Sequence, residues 1–138
     1  MAASENKEIH IRDLVVDELD RQGLLDFHAP RLEILAASGA DLLACETIPS
    51  ALEVEVVTEL LGRHDIPAWV SCSCRDGRHL NDGTPLAEVA ARLARAPGVF
   101  AVGVNCTAPR HISSLVGIIR EAAPANSSAA PTCVIFIS

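Results

Sequence analysis

Residues 40–50, ADLLACETIPS, decide the fold class of this chain. Residues 40–45 form an apolar run of strand length, and Ser50 begins a helical pattern with Glu53 three residues later. A serine and a glutamate at this spacing are typical of a capping box, in which each side chain satisfies a free backbone N–H at the helix N-terminus. The segment therefore predicts a buried strand that passes into a helix. A nearly continuous apolar strand is typical of a parallel sheet covered by helices.

The same pattern recurs along the chain. Three further apolar runs predict strands at residues 67–74, 99–106 and 132–137. Further helices are predicted at residues 24–38, with Gly39 at the C-cap and a kink or late start at Pro30, from Thr84-Pro85 onward, and at residues 109–122. This alternation predicts an α/β fold of about four parallel strands with intervening helices, either a small open sheet or a partial (β/α)8 TIM barrel.

Composition excludes several classes of function. The chain has 138 residues and a net charge of −7, and a nucleic-acid-binding surface would need clustered Lys and Arg. No apolar stretch reaches the roughly 20 residues that span a bilayer, and residues 1–10 lack the pattern of a signal peptide. We therefore expect a single cytoplasmic domain over residues 1–138. Residues 1–23 form an N-terminal segment to which no order is assigned, and residues 122–131 form a loop.

Candidate site residues follow the predicted strands, because active groups of α/β folds lie at the carboxyl ends of parallel strands. Glu46 could hold an amino group there, and Ser73 and Asn105 end the next two strands. Cys106 lies where a strand ends and a helix is about to begin, a position that favours a thiolate. It is therefore a candidate nucleophile or metal ligand, with a buried thiol as the structural alternative.

Three segments together resemble one family, the homocysteine S-methyltransferases, including those that use S-methylmethionine. They are residues 40–49 (ADLLACETIP), 76–85 (DGRHLNDGTP) and 103–106 (GVNC), and residues 26–39 resemble the helix that precedes the first of them. The resemblance covers residues 24–124. It implies a (β/α)8 barrel that transfers a methyl group from a sulfonium or quaternary amine donor to homocysteine, giving methionine.

The resemblance also implies the site. Cys106 matches one of three cysteine ligands of a zinc ion, and Glu46 matches a glutamate that helps to bind the homocysteine amino group. We expect further substrate contacts at Ser73 and Asn105. The other two zinc ligands belong to a G-G-C-C motif, which is absent here, as is the D-G-[GA] motif of the first strand. The final run, residues 132–138, resembles the seventh strand of the family only loosely.

Because these motifs are absent, we expect the chain to be a truncated member of the family. A catalytic zinc site has three protein ligands, so we expect the chain alone to be inactive and to bind no structural metal. One alternative is a non-catalytic α/β binding or regulatory module that self-associates through exposed strand edges, with two half-barrels forming one. Another is a different zinc or redox protein that uses Cys45, Cys72, Cys74 and Cys106. Alternation along the strands argues against it, because these thiols would not all face one pocket.

Overall fold

Four parallel strands lie side by side in the computed structural model, which describes residues 19–123 and 136–137. Their order in the sheet is the order in the chain: β1 (Leu43–Ile48), β2 (Ala68–Cys72), β3 (Val99–Asn105) and β4 (Phe136–Ile137). The helices are α1 (Arg21–Ala36), α2 (Ala51–Leu61), α3 (Leu86–Leu93) and α4 (Ile112–Ala122), and a 3₁₀ turn, Pro109–His111, precedes α4. The predicted α/β class with parallel strands is confirmed.

One face of the sheet packs on helices. Leu43, Val70, Cys72, Val102 and Val104 belong to a single buried apolar cluster with residues of α2, α3 and α4. The helix side of this cluster includes fully buried side chains: Val56, Leu60, Leu61, Leu86, Leu93 and Leu115. Burial of an aliphatic side chain contributes about 1.5–3 kcal/mol, so this layer holds the strands in place.

The opposite face of the sheet, called the open face, carries exposed side chains in the part of the chain that the structure describes. Glu46 and Phe100 are exposed and Trp69 is partly exposed, and none of the three belongs to the apolar cluster. They contact one another across the strands. The Trp69 Nε1 atom donates to Glu46 Oε1 at 3.3 Å, and the Trp69 and Phe100 rings meet edge to face at 6.5 Å. No described helix is long and apolar enough to cross a membrane.

Strand β1 differs from its prediction, and the difference matters for the site. Residues 40–45 were expected to form it, whereas it runs from Leu43 to Ile48 and so contains Glu46 and Thr47. The apolar run ends early because Glu46 is exposed on the open face and the Thr47 hydroxyl accepts a hydrogen bond from Asn105 of β3. The predicted strands at residues 67–74 and 99–106 are observed as the shorter β2 and β3. Residues 132–135 of the last predicted strand lie outside the described residues.

Helix α1 begins earlier than predicted and continues through Pro30. Its N-cap is Asp20, whose side chain accepts the Gly23 N–H at 2.8 Å, so residues 21–23 of the N-terminal segment are helical. Pro30 is exposed, so the Asp26 carbonyl that loses its intrahelical donor is on the solvent side of the helix. Gly39, predicted as the C-cap, instead adopts a left-handed conformation two residues beyond the cap at Ala37.

Two predicted helix starts are only partly right. Ser50 caps α2 by accepting the Glu53 N–H at 3.2 Å, but the Glu53 carboxylate bonds His28 of α1 at 2.7 Å. The glutamate thus joins two helices rather than completing the capping box. Helix α3 begins at Leu86, with Pro85 at the N-cap and no side-chain cap, and the Thr84 hydroxyl bonds Asp82.

Candidate functional site

Two residues at strand ends have unusual backbones. Thr47 near the end of β1 has φ 65° and Cys106 directly after β3 has φ 47°, and they are the only non-glycine residues with positive φ in the part of the chain described. This conformation costs an L-residue roughly 1–2 kcal/mol, and it is rarer still for a β-branched residue. Strained residues of this kind cluster at functional sites. Neither conformation is encoded by the residue type, so Thr47 could not be recognised from the sequence.

The Asn105 side chain joins these two residues and the strand between them. It is 5% exposed. Its Oδ1 atom accepts from the Thr47 N–H at 3.1 Å and from the Ser71 hydroxyl at 3.1 Å. Its Nδ2 atom donates to Thr47 Oγ1 at 2.8 Å and lies 3.7 Å from Cys106 Sγ. Both acceptor and both donor positions of the amide are therefore used within the protein. Its predicted contact with substrate stays a prediction.

Cys106 is exposed, and its sulfur faces two polar groups. Besides the Asn105 amide, the Thr47 hydroxyl lies 3.9 Å from Sγ. Cys106 follows β3 directly, as predicted, and the next helical residues are those of the 3₁₀ turn from Pro109 and of α4 from Ile112. The polar groups described near the sulfur thus include side chains from β1 and β3.

Glu46 lies on the open face of the sheet and beside a groove. The groove, about 420 Å³ in volume, runs between α1 and the outer edge of β1. Its walls include His28, Arg31, Leu32, Leu35, Cys45 and Glu46. Cys106 is not among the residues that line it, whereas Glu46 and Ile48, near the end of β1, are. No described strand pairs with this edge of β1.

Ser73 is buried beneath the loop of residues 75–85. It is 1% exposed, and its hydroxyl accepts from Asn81 Nδ2 at 2.9 Å. The loop is tied to the strand by the Asn81 N–H, which donates to the Ser73 carbonyl, and by Leu80, which is fully buried. Ser73 therefore supports this loop, and its predicted contact with substrate stays a prediction.

Two aspartates order the same loop. Asp76 accepts hydrogen bonds from the His79 ring and from the backbone N–H groups of Arg78 and His79, which lower the pKa of Asp76 to about 2. Asp82 accepts the Ala51 N–H at 2.8 Å, so its carboxylate stands at the first turn of α2, where negative charge is favoured. His79 itself is half-buried, and its ring is bonded to Asp76.

The remaining described cysteines belong to the helix-facing core. Burial raises the pKa of Cys45 to about 11 and that of Cys74 to about 12, where Asp76 adds a smaller effect. Burial also raises the pKa of the fully buried Cys72. The described residues contain no group of three or more His, Cys, Asp or Glu side chains that could hold a metal. A zinc site needs three protein ligands, so the described residues do not by themselves fit one.

Comparison with known proteins identifies one family. The family model for homocysteine S-methyltransferases matches residues 5–135. Homocysteine S-methyltransferase 3 of Arabidopsis thaliana is 44% identical over 107 residues, which are 76% of this chain and 31% of the relative. The Escherichia coli homocysteine S-methyltransferase is 53% identical over 83 residues, which are 59% of this chain and 27% of the relative. The chain thus spans less than a third of the length of these relatives.

A solved structure is similar over nearly the whole chain. The apo form of the homocysteine methyltransferase MmuM from Escherichia coli superposes with a TM-score of 0.75 and 38% sequence identity. The match covers 88% of this chain and 46% of that protein. A metallated form of the same enzyme superposes with a TM-score of 0.74. The family model and the relatives together show that this chain belongs to the homocysteine S-methyltransferase family.

Proposed function

We propose that this chain supplies the homocysteine-binding part of a methyltransferase that forms methionine. The homocysteine sulfur attacks the methyl carbon of a sulfonium donor, S-methylmethionine or S-adenosylmethionine. A new S–CH₃ bond forms as the old one breaks, the donor leaves as a neutral thioether, and homocysteine loses its thiol proton. One observation carries the proposal: the Asn105 amide gathers Thr47 and Cys106 at the carboxyl ends of parallel strands, where active groups of such folds lie.

The proposed role of Glu46 is to bind the homocysteine ammonium group. Its carboxylate is exposed on the open face of the sheet, and the residue precedes Thr47 directly. The Trp69 indole N–H, at 3.3 Å from Oε1, gives the carboxylate a preferred position. A charge-assisted hydrogen bond to a positioned carboxylate is about twice as strong as one between neutral groups. Asn105 and Ser73 would support this region from beneath the surface.

We further propose that the sheet is part of a (β/α)8 barrel whose interior corresponds to the open face. Two observations support this proposal. Phe100 and Glu46 are exposed on the open face, and no described strand pairs with the outer edge of β1. The solved relative, of which the match covers 46%, supports it as well. Cys106 would then be one zinc ligand, with the other two supplied from outside these 138 residues. The chain alone is expected to bind little zinc and to transfer no methyl group.

A complementation assay tests this function. The chain is mixed with a C-terminal segment of a homocysteine S-methyltransferase that carries the adjacent cysteine pair, and methionine formation from homocysteine and S-methylmethionine is measured. We expect activity only in the mixture, lost with Cys106→Ser and kept with Cys45→Ser, a matched change at a cysteine in the helix-facing core. Equal activity of the two variants, or no activity in a mixture shown to associate, would contradict the proposal.

A second candidate is a non-catalytic binding or regulatory module that dimerises as two half-barrels. The open face with its partly exposed Trp69 and exposed Phe100 favours self-association. Light scattering after size-exclusion chromatography distinguishes the candidates, since this module would be a stable dimer. In the complementation assay it would gain no activity with the added segment.

A cytoplasmic location also stays a prediction.

A further inference from the structure

We propose that Thr47 is a positioning residue for Cys106, which it acts on mainly through the Asn105 amide. The inference rests on the proposed function only in that Cys106 is taken as the sulfur of the site. The three residues are contributed by the ends of β1 and β3, and their side chains form one connected set of hydrogen bonds.

Thr47 fixes which way the Asn105 amide points. The Thr47 N–H can only donate, so it requires the amide oxygen on its side, 3.1 Å away. The Thr47 hydroxyl then accepts from the amide nitrogen at 2.8 Å. A flipped amide would place a donor against the Thr47 N–H and leave a buried group unsatisfied, which costs about 1–3 kcal/mol. In the observed orientation the second N–H of Nδ2 is directed to Cys106 Sγ, at 3.7 Å.

The left-handed backbone of Thr47 makes these two contacts possible. At φ 65° the N–H and the hydroxyl of one residue both reach the same side chain of β3. Glycine would adopt this conformation without steric cost but has no hydroxyl. The strain of a β-branched residue, roughly 1–2 kcal/mol, is offset by the two hydrogen bonds to Asn105.

The hydroxyl also faces the sulfur itself. Since Thr47 Oγ1 accepts from the amide nitrogen, its own hydrogen is directed elsewhere, and Cys106 Sγ lies 3.9 Å away. Each contact to sulfur is weak, but the two converge on one atom whose backbone is also constrained, at φ 47°. Groups that hydrogen-bond a ligating atom orient it and tune its bonding. Thr47 and Asn105 would act in this way on whatever binds Cys106.

The test compares Thr47→Val with Thr47→Ser in the full chain. Valine keeps the branched shape and loses the hydroxyl, whereas serine restores the hydroxyl. Thr58→Val is the matched control, because the Thr58 hydroxyl bonds only carbonyls of its own helix. The readouts are the Cys106 χ1 rotamer populations, from NMR couplings between Hα and Hβ, and the chemical shifts of the Asn105 side-chain N–H₂ group.

We expect one dominant Cys106 rotamer in the native chain, in Thr47→Ser and in Thr58→Val. In Thr47→Val the ratio of rotamers should fall about fivefold, as expected for loss of about 1 kcal/mol of hydrogen bonding, and the two Asn105 N–H shifts should move. An unchanged rotamer ratio in Thr47→Val would overturn the inference. If Thr47→Val fails to give a dispersed backbone spectrum, Thr47→Ala replaces it with the same expectation.

This readout does not depend on methyl transfer. If complementation fails but Thr47→Val still lowers the Cys106 rotamer ratio, the positioning role stands and the methyltransferase role does not. If complementation succeeds and the rotamer ratio is unchanged, only the positioning role is wrong.

Discussion

Asp76 links the order of the loop of residues 75–85 to its own charge. Hydrogen bonds from the His79 ring and from backbone N–H groups lower its pKa from 3.8 to about 2 in the folded state. Because the folded pKa lies below the unfolded one, its contribution to stability is complete above about pH 4. It is lost as the pH falls toward 2. Amide protection of Arg78 and His79, measured by hydrogen exchange across this range, should decrease with the pH.

The variant Asp76→Asn removes the titrating group while keeping the size of the side chain. Its loop should show lower protection at neutral pH and no further change between pH 4 and pH 2. Equal pH dependence in the variant and the native chain would show that another group controls the loop.

The described cysteines should differ in their reactivity toward alkylating reagents, because they differ in exposure. Among the described cysteines, Cys106 is exposed, whereas Cys45 is partly buried and Cys72 and Cys74 are buried. With its pKa raised to about 11, the thiol of Cys45 is about one part in a thousand ionised at pH 8, and thiolate is the nucleophile. Iodoacetamide at pH 8, followed by peptide mass mapping, should label Cys106 before Cys45, Cys72 and Cys74. Faster labelling of Cys72 or Cys74 would contradict the assigned burial.

At the scale of elements, Ser50 sets the start of α2. Its hydroxyl accepts the Glu53 N–H and the residue is 8% exposed. Ser50→Ala should lower the free energy of unfolding by about 1 kcal/mol, the usual effect of losing such a cap, as measured by urea denaturation. Ser113→Ala in α4 is the control, since Ser113 is exposed and should change stability by less than about 0.5 kcal/mol. Equal losses in the two variants would contradict the capping role.

The sequence predicted the elements better than the contacts between them. Apolar runs indicated the parallel strands because one face of each strand packs on helices, as Val70 and Val104 do. The apolar run of residues 40–45 misplaced β1, because the strand continues through Glu46 and Thr47 after that run has ended. The position of Asn105 at a strand end could be read from the sequence, whereas its bonds to Thr47 and Ser71 depend on the register of three strands.

At the level of the whole molecule, the open face of the sheet exposes apolar side chains that a binding partner would cover. Phe100 is 40% exposed, and Trp69 and Glu46 lie beside it on a face that would be interior in a closed barrel. Trp69 is the single tryptophan of the chain, so its fluorescence reports on this face. Addition of the complementing segment should shift its emission to shorter wavelength as the indole is buried. An unchanged emission maximum in a mixture shown to associate would place the contact elsewhere.

Metal analysis is the most direct test of the proposal that Cys106 is one ligand of a zinc site whose other two ligands lie on another segment. The chain is dialysed against zinc, and bound metal is measured with and without the complementing segment. We predict well below one zinc per chain alone, because the described residues contain no group of three His, Cys, Asp or Glu side chains that could hold the metal. We predict about one per complex, lost with Cys106→Ser. Nearly one zinc per chain alone, together with methyl transfer to homocysteine, would contradict the account.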